Sequence, residues 1–62
     1  MKIDWDIIGT IEVIKNDWQL VELEGFDDKG NRYLATCETY ISYPCIIEDN
    51  IDDIELVLED LK

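Results

Sequence analysis

The sequence predicts an α+β domain in which a three-stranded antiparallel β-meander is followed by one C-terminal α-helix. Alternation of apolar and polar residues with period two runs through three segments rich in β-branched side chains, which is the pattern of half-buried strands. Clusters of turn-forming residues separate those segments. The C-terminal segment instead repeats its apolar positions every three or four residues, as one face of a helix does.

The first strand is "KIDWDIIGTIEVI", with Ile3, Trp5, Ile7, Ile11 and Val13 on odd positions and Lys2, Asp4, Asp6, Thr10 and Glu12 on even ones. Gly9 falls within this stretch and predicts a bulge or bend, because a strand loses packing where a side chain is missing. "KND" at Lys15 to Asp17 then turns the chain into "WQLVELEGF". Val21 and Leu23 lie on one side of this second strand, Glu22 and Glu24 on the other. Trp18 and Leu20 share the glutamates' parity, so either the strand slips by a residue near Leu20 or Trp18 covers the opposite face.

"DDKGNR" is a hairpin signal in which Gly30 is expected at positive φ. The third strand, "RYLATCETYI", directs Tyr33, Ala35, Cys37 and Ile41 inward and Arg32, Thr36 and Glu38 outward. Pro44 ends this strand or confines it to an edge.

Ile47, Ile51, Ile54, Leu58 and Leu61 line one face of the expected helix. Asn50 is placed as its N-cap, Asp52 and Asp53 sit in the first turn where the dipole favours anions, and Lys62 lies at the far end. Leu56 would project from the acidic side of this helix. As a strand, the segment gathers Ile54, Leu56 and Leu58 on one face, and a small all-β domain with this segment as a fourth strand is the alternative. A helix over one sheet face leaves the other open, where Ile8, Ile14, Leu34 and Tyr40 are available as a contact surface.

Sixty-two residues predict a single small domain spanning 1–62, which buries only about 60% of the surface of its unfolded chain. A hydrophobic content of 47% predicts a folded chain despite the charge. The segment begins without a signal-peptide pattern and contains no apolar run of membrane-span length, which predicts a cytoplasmic protein. Cys37 and Cys45 are then expected as free thiols.

Several chemistries lack their residues. No histidine is present, which removes the commonest general base and metal nitrogen ligand. Cys37 and Cys45 supply half of a zinc set, Ser42 has no base beside it, and no glycine-rich phosphate loop occurs. The Asp49 to Glu55 carboxylates lack the alternation and glycine of a calcium loop. The expectation is a protein that is not an enzyme and takes no cofactor or metal.

Charge is the strongest signal. Sixteen Asp and Glu against five Lys and Arg give a formal net charge of −11. Self-repulsion on this scale destabilises a compact state, repels nucleic acid and anionic membranes, and attracts basic protein surfaces. The candidate partner-binding residues are Glu22, Glu24, Asp27 and Asp28 on the second strand and its hairpin, with Asp49, Asp52, Asp53, Glu55, Glu59 and Asp60 on the C-terminal segment. Leu56, ringed by the last of these, is a candidate apolar anchor within an electrostatic rim.

The "EDNIDDIELVLED" block on so small a domain resembles, in size and acidic surface, the small acidic proteins that phages direct against host nucleic-acid-targeting defences, including anti-CRISPR proteins and other DNA mimics. That resemblance implies a stoichiometric inhibitor occupying the nucleic-acid groove of a basic effector or nuclease in the host cytoplasm. An immunity protein or antitoxin against a basic toxin is the nearest alternative. A self-associating accessory module, in which an exposed sheet surface pairs with a second copy, is the structural one.

Overall fold

The computed structural model describes residues 2–58 and shows one antiparallel sheet of four strands in chain order: β1 (Asp4–Lys15), β2 (Trp18–Phe26), β3 (Arg32–Tyr40) and β4 (Ile51–Leu56). The three-stranded meander forms as expected. The predicted helix does not: among the described residues there is no α-helix, and the segment after Asn50 is β4. The domain is therefore all-β. Asn50 ends a single 3-10 turn, Glu48–Asn50, and spends its side-chain amide on the Glu38 carbonyl at 3.2 Å rather than capping a helix.

The physical reason for the correction lies in a bulge. Ile51 pairs with Cys37 and Leu56 with Tyr33, while Asp53 and Ile54 fall in a register shift opposite Ala35. An extra residue in one strand converts the two-residue spacing of a strand face into three. Ile51, Ile54 and Leu56 thereby come to one side of the sheet, and Ile51 to Ile54 imitates a helical step. Asp53 absorbs the bulge at φ 56°, in the left-handed region that aspartate tolerates better than most residues.

β1 shows the same device three times, with shifts between Ile7 and Gly9, Thr10 and Glu12, and Val13 and Lys15. The bend expected at Gly9 is present, and the other two are additional. Turn chemistry follows the sequence: Asn16 sits at φ 54° between β1 and β2, and Gly30 at φ 86° between β2 and β3.

β2 and β3 pair without a slip from Trp18↔Tyr40 to Phe26↔Arg32. Trp18 therefore lies on the glutamate side of the sheet, where its ring meets that of Tyr40 at 4.4 Å between centroids. On the other, inner side sits the core: Val21, Leu23, Ala35 and Cys37, all nearly inaccessible, with Trp5, Ile46 and Ile51 packed against them. Four small to medium side chains make a thin core.

The segment from Ile41 to Asn50 links β3 to β4 and is tied at several points. The Ile41 amide donates to the Asp17 carbonyl at 2.7 Å, and Ser42 donates through its amide and its hydroxyl to the Asp17 carboxylate. Fully buried Thr39 donates its hydroxyl to the Cys45 carbonyl at 2.7 Å and accepts from the Cys45 amide at 3.1 Å. The Cys37 thiol reaches the Ile47 carbonyl at 3.6 Å. These bonds satisfy backbone groups that an irregular segment would otherwise bury unpaired, and they hold Ile46 against the core. Both cysteines are free, Cys37 buried and Cys45 exposed.

Candidate functional site: an acidic sheet face

Residues paired directly across neighbouring strands present their side chains on the same face. The outer face can therefore be read as five rungs. Lys15, Trp18 and Tyr40 form the first, and Glu12, Leu20 and Glu38 the second. The third carries Gly9, Glu22, Thr36 and Asp52; the fourth carries Asp6, Glu24, Leu34 and Glu55. Asp4, Phe26 and Arg32 close the fifth.

Every β-strand thus contributes carboxylates to one surface. Along a strand they recur about every 6.8 Å, and neighbouring strands lie about 4.8 Å apart. Such a lattice repels itself, and among the described residues of this face only Lys15 and Arg32 oppose it. Arg32 donates from Nε to Glu24 at 2.7 Å, so the positive charge is held within the second strand's row. The middle rungs keep Glu12, Glu22, Glu38 and Asp52 with no cation beside them in register. Apolar Leu20 and Leu34 lie between carboxylates, and the Trp18–Tyr40 pair closes one end of the face.

The carboxylates are spread out rather than gathered: among the described residues no three Asp, Glu or Cys side chains are grouped so as to hold a metal ion. On the inner side, an open cleft of about 470 Å³ runs between Ile3 and Trp5 and the β4 residues Ile51 and Ile54. Its charged groups are Lys2 and Glu48.

The sequence-predicted site divides. Glu22, Glu24, Asp52 and Glu55 come together on the outer face. Asp49 is exposed in the 3-10 turn and Asp53 in the β4 bulge, away from the rungs. Asp28 is exposed in the β2–β3 turn. Glu59 and Asp60 lie outside the described residues.

Asp27 has a different task. It is buried, and its carboxylate accepts four hydrogen bonds: from the Lys29 and Asn31 amides at 2.9 Å, and from the Asn31 side chain and the Tyr33 hydroxyl at 3.0 Å. These bonds favour the ionised form, the Asn31 side chain most of all, and hold its pKa down at about 2. The hydrogen bond that Tyr33 donates to Asp27, with burial and the nearby negative charge, raises the Tyr33 pKa. Asp27 organises the turn.

Leu56 also moves. Its pairing with Tyr33 places it on the inner side, away from the outer carboxylates, so the apolar groups available within the acidic face are Leu20 and Leu34 instead. Asp4, Asp6, Glu12 and Glu38 belong to the surface as well. Their even-position parity and outward direction are legible in the sequence, but their union with Glu22 needs the strand register.

The fold and site define the class as a small acidic all-β domain with a carboxylate-covered sheet face. No protein-family model, curated protein or solved structure matches the chain. Among the described residues no helix is long and apolar enough to cross a membrane.

Proposed function

We propose that this protein is a stoichiometric inhibitor of a basic nucleic-acid-binding effector or nuclease, acting through its outer sheet face as an imitation of nucleic-acid phosphates. The observation that carries the reading is the set of carboxylate rungs drawn from all four strands onto one side. Their repeat of about 6.8 Å along a strand is twice the roughly 3.4 Å axial rise between phosphates on one DNA strand. A groove lined with Lys and Arg is attracted to either surface through the same complementarity of charge.

Rigidity favours imitation. Carboxylates on paired strands are held at fixed spacing, so a partner does not have to order them on binding. Leu20, Leu34 and the Trp18–Tyr40 pair add apolar contact between the charges, the composition of a protein interface core with a polar rim. No bond is made or broken in this mechanism; the protein competes by occupancy.

The test is capture of basic proteins by the immobilised domain at low and high salt, followed by nucleic-acid binding and cleavage by the captured protein. A retained effector or nuclease that is released by salt and cannot bind nucleic acid while occupied supports the reading. The triple variant Glu22→Gln, Glu38→Gln, Asp52→Asn should weaken capture by tenfold or more. Undiminished capture by that variant, or a captured partner that still binds nucleic acid, would exclude the outer face as the inhibitory surface.

A further inference from the structure

We propose that β1 is a self-association strand, and that a second copy of this chain seats on its apolar C-terminal half across a two-fold axis. Ile7, Ile8, Ile11, Val13 and Ile14 are all exposed, by 36% to 60%, on an edge strand of a protein whose core is scarcely covered. Among the described residues, Trp5 is the only partly buried apolar residue of β1 packed against the core, and it lies at the opposite end of the strand. The stretch from Ile7 to Ile14 thus presents a run of large apolar side chains that the rest of the fold leaves uncovered.

Charge identifies the occupant. The protein carries −11, yet between Ile7 and Ile14 the sole charge is Glu12, which turns to the outer face beside Leu20. Copies repel one another over most of their surface and approach with least opposition here. A basic partner would find almost nothing to pair with along this stretch. The strand also complements itself: an antiparallel copy with the two-fold near Thr10 and Ile11 sets Lys15 against the copy's Asp6 and Val13 against the copy's Ile8. Such an isologous contact closes as a dimer.

The shape agrees. The radius of gyration is 12.6 Å, against roughly 10.6 Å for a compact chain of this length. The accessible surface is 4765 Å², against about 4200 Å² for a folded monomer of this mass. The excess, roughly 570 Å², matches the area of about 600 Å² per partner at the small end of specific interfaces. Three bulges interrupt the free edge of β1, so few backbone bonds run across the two-fold and the side chains of the two aligned strands carry most of the contact.

This inference does not rest on the inhibitor reading, and salt separates the two. Sedimentation equilibrium of the whole chain should show a dimer whose population rises with ionic strength, because screening relieves the repulsion between copies. Capture of a basic partner responds in the opposite direction. The variant Ile11→Asp with Val13→Asp should be monomeric and still fold, since both side chains are exposed, and its melting temperature should lose the dependence on protein concentration that the native dimer shows.

Lys15→Glu should weaken association by roughly tenfold, and Lys15→Glu with Asp6→Lys should restore it. If the double aspartate variant fails to fold, the Lys15 series decides, because Lys15 is exposed and outside the core. A chain that stays monomeric at every concentration and salt, a dimer that survives Ile11→Asp with Val13→Asp, or one that ignores Lys15→Glu overturns the proposal.

Discussion

The two faces of the sheet are built from the same strands and obey opposite rules. On the inner face, Val21, Leu23, Ala35 and Cys37 are nearly inaccessible, and Trp5, Ile46 and Ile51 close over them. On the outer face, Glu12, Glu22, Glu38 and Asp52 stand near one another without cations in register. One face stabilises the fold through burial, and the other destabilises it through repulsion. The difference teaches that the acidic surface is tolerated by the fold rather than required by it.

Breaking the inner face should have the largest effect. Leu23 is fully buried at the centre of the core, and Leu23→Ala is expected to lose about 2–5 kcal/mol through lost transfer energy and the cavity left behind. A 62-residue domain has roughly 3–9 kcal/mol in total. Chemical denaturation should therefore find that this variant has lost a large share of its stability, and a loss below about 1 kcal/mol would show that the core lies elsewhere.

Gly25 sharpens the comparison at the core's margin. A Cβ at this position would lie 2.5 Å from Ile3 Cγ2 and 2.6 Å from the Trp5 ring, so Gly25→Ala must push the covering side chains outward. Destabilisation of about 1–3 kcal/mol is expected. Trp5 fluorescence should shift to the red as the ring gains solvent, whereas an unshifted spectrum would mean that the ring accommodates the methyl group in place.

Asp27 tests a carboxylate that serves structure against those that do not. Its folded pKa, about 2, lies below the ordinary value of 3.8. The stabilisation from its ionised form is fully present above about pH 4 and disappears as pH falls through about 2. Asp27→Asn should melt below the native protein at neutral pH, and the gap should close over that acid window. A gap independent of pH would assign the loss to hydrogen-bond geometry rather than to charge.

The smallest stability effect belongs to the outer face. Replacing Glu22 and Glu38 by Gln and Asp52 by Asn should leave melting unchanged or raise it slightly at low salt, since exposed charge interactions are worth about 0.2–1 kcal/mol each. The rise should vanish at high salt. A clear fall in melting temperature would mean that these carboxylates hold the sheet together.

By itself the sequence determined the meander, its turns and the centre of the core, whereas Ile7, Ile11, Val13 and Ile41, which share the inward parity, are exposed. Alternation around Val21, Leu23, Ala35 and Cys37 is local information, as are the left-handed preferences of Asn16 and Gly30, and each survives folding because nearest neighbours and a single buried face fix it. The −11 charge was equally plain. Tertiary structure decided the rest. Whether Ile51 to Leu56 becomes helix or strand depends on the free edge of β3, and once that edge is paired, the bulge at Asp53 and Ile54 turns a helix-like spacing into one side of a sheet. Strand pairing decided the site as well: β3–β4 moved Leu56 inward, and β1–β2 with β2–β3 joined Asp6, Glu12 and Glu38 to Glu22. Parity along one strand says which side a residue faces, and only the register between strands says which residues it meets there.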